Sequence, residues 1–172
     1  MDTCWDPTKP TWYALYTKPR HERKVSNHLL QDGFRTFFPQ IERWSRRKDR
    51  KKRILAPLFP GYLFINAQLK GNNRLKVIKT NGVVRVLGSN GIPVAVPENQ
   101  IESIQKIVET NTVVYSHRYL KKGRTVRVVS GPLQGIEGIF LSEKGNGKLV
   151  VSVEILHRSV SVDIDEADIE PI

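Results

Sequence analysis

The sequence predicts an α+β protein: a layer of interleaved strands and helices, followed by a small five-stranded β-barrel. Strand and helix signals alternate as far as Thr112. Beyond it apolar residues recur at every second position between tight turns, the period of half-buried strands. The charge divides at the same place. Residues 1–112 hold 20 Lys and Arg against 9 Asp and Glu, whereas 113–172 hold 8 of each, so the whole net charge of +11 belongs to the first part.

In the first part Trp12 to Tyr16 is an aromatic-rich strand ended by Pro19. Arg20 to Gln31 reads as a helix with Val25 and Leu29 on one face and Asp32-Gly33 as its stop. Phe34 to Phe38 is a strand closed by Pro39, and Ile41 to Ala56 is a basic stretch with hydrophobic ends. Gly61 to Ile65 is apolar enough to be a central strand. Asn72 to Thr80 is a short helix marked by Leu75 and Ile78. Val83 to Leu87 and Ile92 to Val96 flank the hairpin turn Gly88-Ser89-Asn90-Gly91. Pro97 opens a helix whose buried stripe is Ile101, Ile104 and Val108.

In the second part Val126 and Val128, then Leu149, Val151, Val153 and Ile155, then Val160, Val162 and Ile164 keep the strand period. Ser130-Gly131-Pro132, Lys144-Gly145-Asn146-Gly147, His157-Arg158-Ser159 and Asp165 to Asp168 are the turns between them. The expected division is a tail over 1–11, a domain over 12–112, a polar, basic linker over 113–122 and the barrel over 123–172.

Several classes are set aside. No stretch approaches the ~18 apolar residues of a membrane span, and Met1 to Pro10 lacks the apolar core of a secretory signal. Cys4 is the one cysteine, so neither an internal disulfide nor a cysteine zinc site is expected. His21, His28, His117 and His157 are scattered, and no metal site, cofactor or catalytic constellation is expected. The expected chain is a cytoplasmic, monomeric binding protein with no membrane partner.

Positive charge confined to one part suggests contact with polyanions, since clustered Lys and Arg neutralise phosphates and release counterions. On the helix 20–31, Arg20, Arg23, Lys24, Asn27 and Gln31 form a mainly basic stripe opposite Val25 and Leu29, fit for phosphates or for solvent. Glu42 to Arg53 holds eight basic residues in twelve, Arg46, Arg47 and Lys48 among them. It reads as a hairpin tip aimed at nucleic acid. Trp44 within it serves either as a stacking platform for a base or as a hydrophobic anchor of the hairpin. Tyr62 and Phe64 share one face of their strand and Leu63 and Ile65 the other, so the aromatic face is either part of the core or offered to a partner.

Two segments carry a resemblance. Val126 to Gly138, with Gly131, Pro132, Gly135 and Gly138, resembles a KOW motif: a strand, a turn and a return strand. Pro57-Leu58-Phe59-Pro60-Gly61-Tyr62-Leu63-Phe64-Ile65 resembles the central-strand signature of the NusG N-terminal domain, and Trp12-Tyr13 agrees with its first strand. The Leu58-Phe59-Pro60 form is similar to that of specialised RfaH-like and capsule-operon antiterminator paralogues. The resemblance implies a ferredoxin-like α/β sandwich followed by an SH3-like barrel. It implies a transcription elongation and antitermination factor, not an enzyme, that docks on the clamp helices of the largest RNA polymerase subunit beside upstream and non-template DNA. It implies polymerase contact for Tyr16, Tyr62 and Phe64, and DNA contact for Lys18, Lys24 and His28; Arg20 and Arg23 share that helix face. A ribosomal protein is the candidate partner of the barrel. Leu133 stands where the family has an aromatic, and Leu156-His157 where it has Phe-Gly, which removes the expectation of Rho binding. The alternative is an RNA-binding KOW protein acting on the ribosome, which would place the basic charge in the barrel.

Overall fold

The computed structural model describes residues 9–45, 52–110, 112–119, 123–143 and 146–172. Its elements in chain order are β1 (Thr11–Thr17), α1 (Glu22–Gln31), β2 (Arg35–Phe37), β3 (Gln40–Trp44), β4 (Arg53–Pro57), β5 (Tyr62–Ala67), α2 (Asn72–Lys79), β6 (Val83–Val86), β7 (Gly88–Ser89), β8 (Ile92–Pro93), β9 (Ala95–Val96), α3 (Glu98–Glu109), β10 (Val114–Arg118), β11 (Arg124–Val128), β12 (Glu137–Glu143), β13 (Asn146–Val153), β14 (Arg158–Asp163) and β15 (Ile169–Pro171). Two compact units emerge: Met1–Pro39 with Phe59–Glu98, and Gln40–Leu58 with Asn99–Ile172.

The first unit is built on an antiparallel sheet in the order β2-β5-β1-β6, with β9 also pairing β1. Strand β1 is central because Tyr13, Ala14 and Leu15 suit burial on both faces. It runs in register with β5 from Thr11 opposite Ala67 to Tyr16 opposite Tyr62. On one face Tyr13, Leu15, Leu63 and Ile65 meet Val25 and Leu29 of α1 and Val77 of α2, giving a helix-on-sheet core. Helix α1 starts two residues later than expected because Arg20 lies in the left-handed region at φ 64°.

Helix α2 departs from its apolar pattern. Val77 is fully buried, whereas Leu75 and Ile78 are 54% and 42% exposed. Three-residue spacing identified a helix but not the side it turns inward, which β6 and the core decide. The turn at Asn90 and Gly91 has φ of 51° and 77° at its centre, as a tight hairpin between β7 and β8 requires. Beyond it the chain bends, so that β9 pairs with β1 instead of continuing the hairpin.

In the second unit β3 and β4 form a separate hairpin in which Trp44 faces Arg53 and Glu42 faces Leu55. Helix α3 buries Ile101, Ile104 and Ile107; Val108, the expected third member of the stripe, is half-buried. Its side chains reach the sheet of the same unit: Lys106 Nζ donates to the Gln134 carbonyl at 3.0 Å, and Gln100 Oε1 accepts from the Glu154 amide at 3.2 Å.

The C-terminal sheet runs in the order β10-β14-β13-β12-β11-β15. It therefore has six strands where five were expected. The additional strand is β10, inside the expected linker, with Val114 opposite Val162 and Arg118 opposite Arg158. Its polar composition concealed it, because an edge strand draws its order from ladder hydrogen bonds more than from an apolar face. Val126, Val128, Leu149, Val151, Val153, Val160 and Val162 are buried as their alternation predicts. Ile155 instead falls in a 3-10 turn, Glu154–Leu156, that ends β13. No helix among the described residues is long and apolar enough to cross a membrane.

Candidate functional site

The two tyrosines expected at the partner-facing surface stand side by side. Tyr16 on β1 is opposite Tyr62 on β5, and their rings lie 5.3 Å apart at 44°. Antiparallel pairing places directly opposed side chains on one face, which is why residues 46 positions apart form one patch. Arg85 of β6, opposite Tyr16 on its other side, carries its guanidinium 5.9 Å from the centre of the Tyr16 ring. Both tyrosines are half-buried, so each offers part of its ring and rests the remainder on the sheet.

Phe64 lies on the same strand face but is fully buried. It stacks on Phe37 at 6.0 Å and meets Phe59 edge-on at 6.3 Å. The expectation that it shares an offered surface with Tyr62 is corrected in this respect: the strand face is shared, but the Phe64 ring is covered.

The turn Phe59-Pro60-Gly61 that leads into Tyr62 is tied down from several sides. The Thr17 amide donates to the Gly61 carbonyl at 2.9 Å and the Tyr62 amide to the Phe59 carbonyl at 3.0 Å. The Gly61 amide donates to Glu22 Oε1 at 2.8 Å. Gly61 adopts φ 84°, and a Cβ there would come within 3.3 Å of the Tyr16 ring. Any side chain would thus meet both left-handed strain and the tyrosine pair. Glu22, 5% exposed, is the neighbour of this turn that the sequence does not mark. It stands off the basic stripe in the first turn of α1, and nothing local in the sequence marks a partner 39 positions away.

Helix α1 presents the expected polar stripe, and the structure makes it a groove. Arg20, Arg23, Lys24, Asn27, His28 and Gln31 line one shallow concavity. Arg20, Arg23 and Lys24 are exposed and His28 is half-buried. Lys18 is exposed just before the helix, its amide fixed to the Gly82 carbonyl at 2.8 Å. The structure therefore gathers five of the expected nucleic-acid residues at the start and along one face of α1. Arg46, Arg47 and Lys48 lie outside the described residues. No cluster of three or more His, Cys, Asp or Glu able to hold a metal occurs among the described residues.

Residues 10–105 match the family model NusG, described as "Transcription termination factor nusG". The chain belongs to the NusG family.

It is 30% identical to the transcription termination/antitermination protein NusG of Chlamydia trachomatis, over 88% of this chain and 89% of that one. It is 29% identical to the protein of the same name from Thermus thermophilus, over 90% of this chain and 94% of that one. A solved structure titled "Domain interaction in Thermotoga maritima NusG" has the same fold, with a TM-score of 0.58 over 97% of this chain and 99% of that chain at 22% identity. This NusG-family chain is thus a member of a transcription-factor family.

Gly131, Gly135 and Gly138 of the second unit behave as their chemistry requires. Gly131 and Gly135 have φ of 79° and 87°. Gly138, on β12, is needed for close approach, since a Cβ there would sit 2.6 Å from the Val150 carbonyl oxygen. Pro132 follows Gly131 in the exposed turn. His157 takes the left-handed conformation at φ 48° and packs edge-on to Tyr119 at 5.1 Å.

Proposed function

We propose that this protein is a transcription elongation and antitermination factor that holds RNA polymerase and adjacent DNA together, and that it is a specialised paralogue within the NusG family. The observation that carries the docking part is the Tyr16–Tyr62 ring pair, half open to solvent and flanked by Arg85. Paired tyrosines and an arginine are the residue types enriched where protein interfaces concentrate their energy. They receive the clamp helices of the polymerase largest subunit, with the buried Phe64 supporting the patch from within the sheet.

The groove on α1 runs along upstream or non-template DNA. Lys18, Arg20, Arg23 and Lys24 neutralise phosphates, and His28 and Asn27 offer hydrogen bonds at the same face. Arg46, Arg47 and Lys48 extend the basic charge. Bridging the two partners restrains the clamp and promotes processive elongation, with no chemical step. The C-terminal sheet, read as a KOW barrel of SH3 type, is neutral in charge and recruits a further protein, a ribosomal protein being the candidate. That neutrality disfavours the ribosomal RNA-binding alternative, which needs a basic barrel.

The test uses the full chain. Core polymerase is expected to co-purify with it at low salt, and the double substitution Tyr16→Ala with Tyr62→Ala is expected to abolish this while the protein stays folded. Undiminished binding of that variant would remove the docking assignment.

A further inference from the structure

The hairpin stem β3–β4 carries an exposed surface that the Tyr16–Tyr62 patch does not include. Trp44 and Leu55 are each 59% exposed and lie close together on this stem. Register explains their proximity. Trp44 opposes Arg53 and Glu42 opposes Leu55, so these four side chains occupy one face of a two-stranded ribbon. The Arg53 guanidinium lies 5.4 Å from the centre of the indole, and Arg53 Nη1 is 3.5 Å from Glu42 Oε2. Arg43 and Lys52, also exposed, flank the pair in sequence.

We infer that this face binds an unpaired nucleobase of a single strand, the base stacking on Trp44 and sliding over Leu55 while Arg53 meets the adjoining phosphate. The inference rests on the reading of the chain as a factor that touches nucleic acid, and it deepens that reading by naming the strand state. Hairpin stability alone does not account for the pair. A cross-strand Trp–Arg contact contributes only about 0.2–1 kcal/mol, and it needs no exposed leucine beside it. Charge selects the occupant: eight of the twelve residues from Glu42 to Arg53 are basic, which suits a polyanion. The ring selects the strand state, because a base within a duplex has both faces already stacked, whereas an unpaired base has a free one. Glu42 holds Arg53 by a long contact only, so the guanidinium is placed over the ring yet remains able to turn to a phosphate.

The experiment is fluorescence anisotropy with the full chain, a labelled oligothymidylate of about 20 nucleotides and a duplex of mixed sequence and equal length. Trp44→Ala is expected to weaken single-strand binding by about fivefold or more. Duplex binding and the slope of log K against log salt should remain as in the wild type. Trp44→Phe should keep most of the affinity, and Leu55→Ala should lose part of it with the same preference for the single strand. Unchanged single-strand binding by Trp44→Ala, or an equal loss on both probes, overturns the inference and leaves the indole as a hairpin anchor or as a contact for an acidic protein. The combination Arg23→Glu with Lys24→Glu separates the two readings. If it changes neither affinity nor salt slope while Trp44→Ala weakens single-strand binding, the α1 groove loses its role and the Trp44 platform stands. A wild-type chain that binds neither probe overturns both.

Discussion

The carboxylate of Glu22 and the backbone amide of Gly61 meet at 2.8 Å across 39 positions of sequence. This contact joins the helix that carries the basic groove to the turn that sets Tyr62 beside Tyr16. The two candidate surfaces of the first unit are therefore held in one frame, with a buried acid as the fastening among exposed bases.

Removing that acid leaves the Gly61 amide without its acceptor. Glu22→Ala is expected to lower unfolding free energy by about 1–3 kcal/mol, the range for a buried hydrogen-bonding group left unmade. Glu22→Gln keeps an oxygen at the same place and should lose less. Urea unfolding checks this: the midpoint should fall in the order wild type, Gln, Ala at unchanged slope. Equal midpoints for Ala and wild type would show that the contact contributes nothing.

Helix α2 offers a contrast between apolar neighbours. Val77→Ala removes two buried methyl groups and should cost about 2 kcal/mol. Leu75→Ser and Ile78→Thr alter exposed side chains and should stay within about 0.5 kcal/mol of the wild type. Thermal or urea unfolding of the three variants decides the matter, and a large loss at Leu75 would contradict the burial pattern seen here.

At Gly138 the backbone of β12 passes against β13. A methyl group 2.6 Å from the Val150 carbonyl oxygen and 3.0 Å from Leu149 Cδ1 has no space. Gly138→Ala should therefore cost about 1–3 kcal/mol, as overpacking does. Gly131→Asn should be milder, because a Cβ there meets nothing within 4 Å and asparagine tolerates a left-handed turn. Calorimetric midpoints for the two variants test the ranking.

Much of this architecture is legible in the amino-acid sequence. The apolar strand around Leu63 and the helix carrying Val25 and Leu29 announce themselves by period, and the left-handed Gly131 and Gly135 by residue type. The α1 stripe was legible too, because helical spacing alone brings Arg23, Lys24, Asn27 and Gln31 to one side; Arg20 joins them from the turn ahead of the helix. Strand β10 was not, since Tyr115 to Arg118 takes its order from β14 and not from its own apolar pattern. Nor was the burial of Phe64, whose covering rings, Phe37 and Phe59, come from β2 and from the turn that precedes β5.

Local period, turn chemistry and the distribution of charge, all properties of neighbouring residues, determined the α+β start, the all-β end and the basic character of the first part. Which of the three apolar residues on α2 turns inward, which acid meets Gly61, and that Tyr16 and Tyr62 form one patch were decided only by tertiary structure. Each depends on the register of strands far apart in sequence, and register is a property of the assembled sheet that no single segment contains.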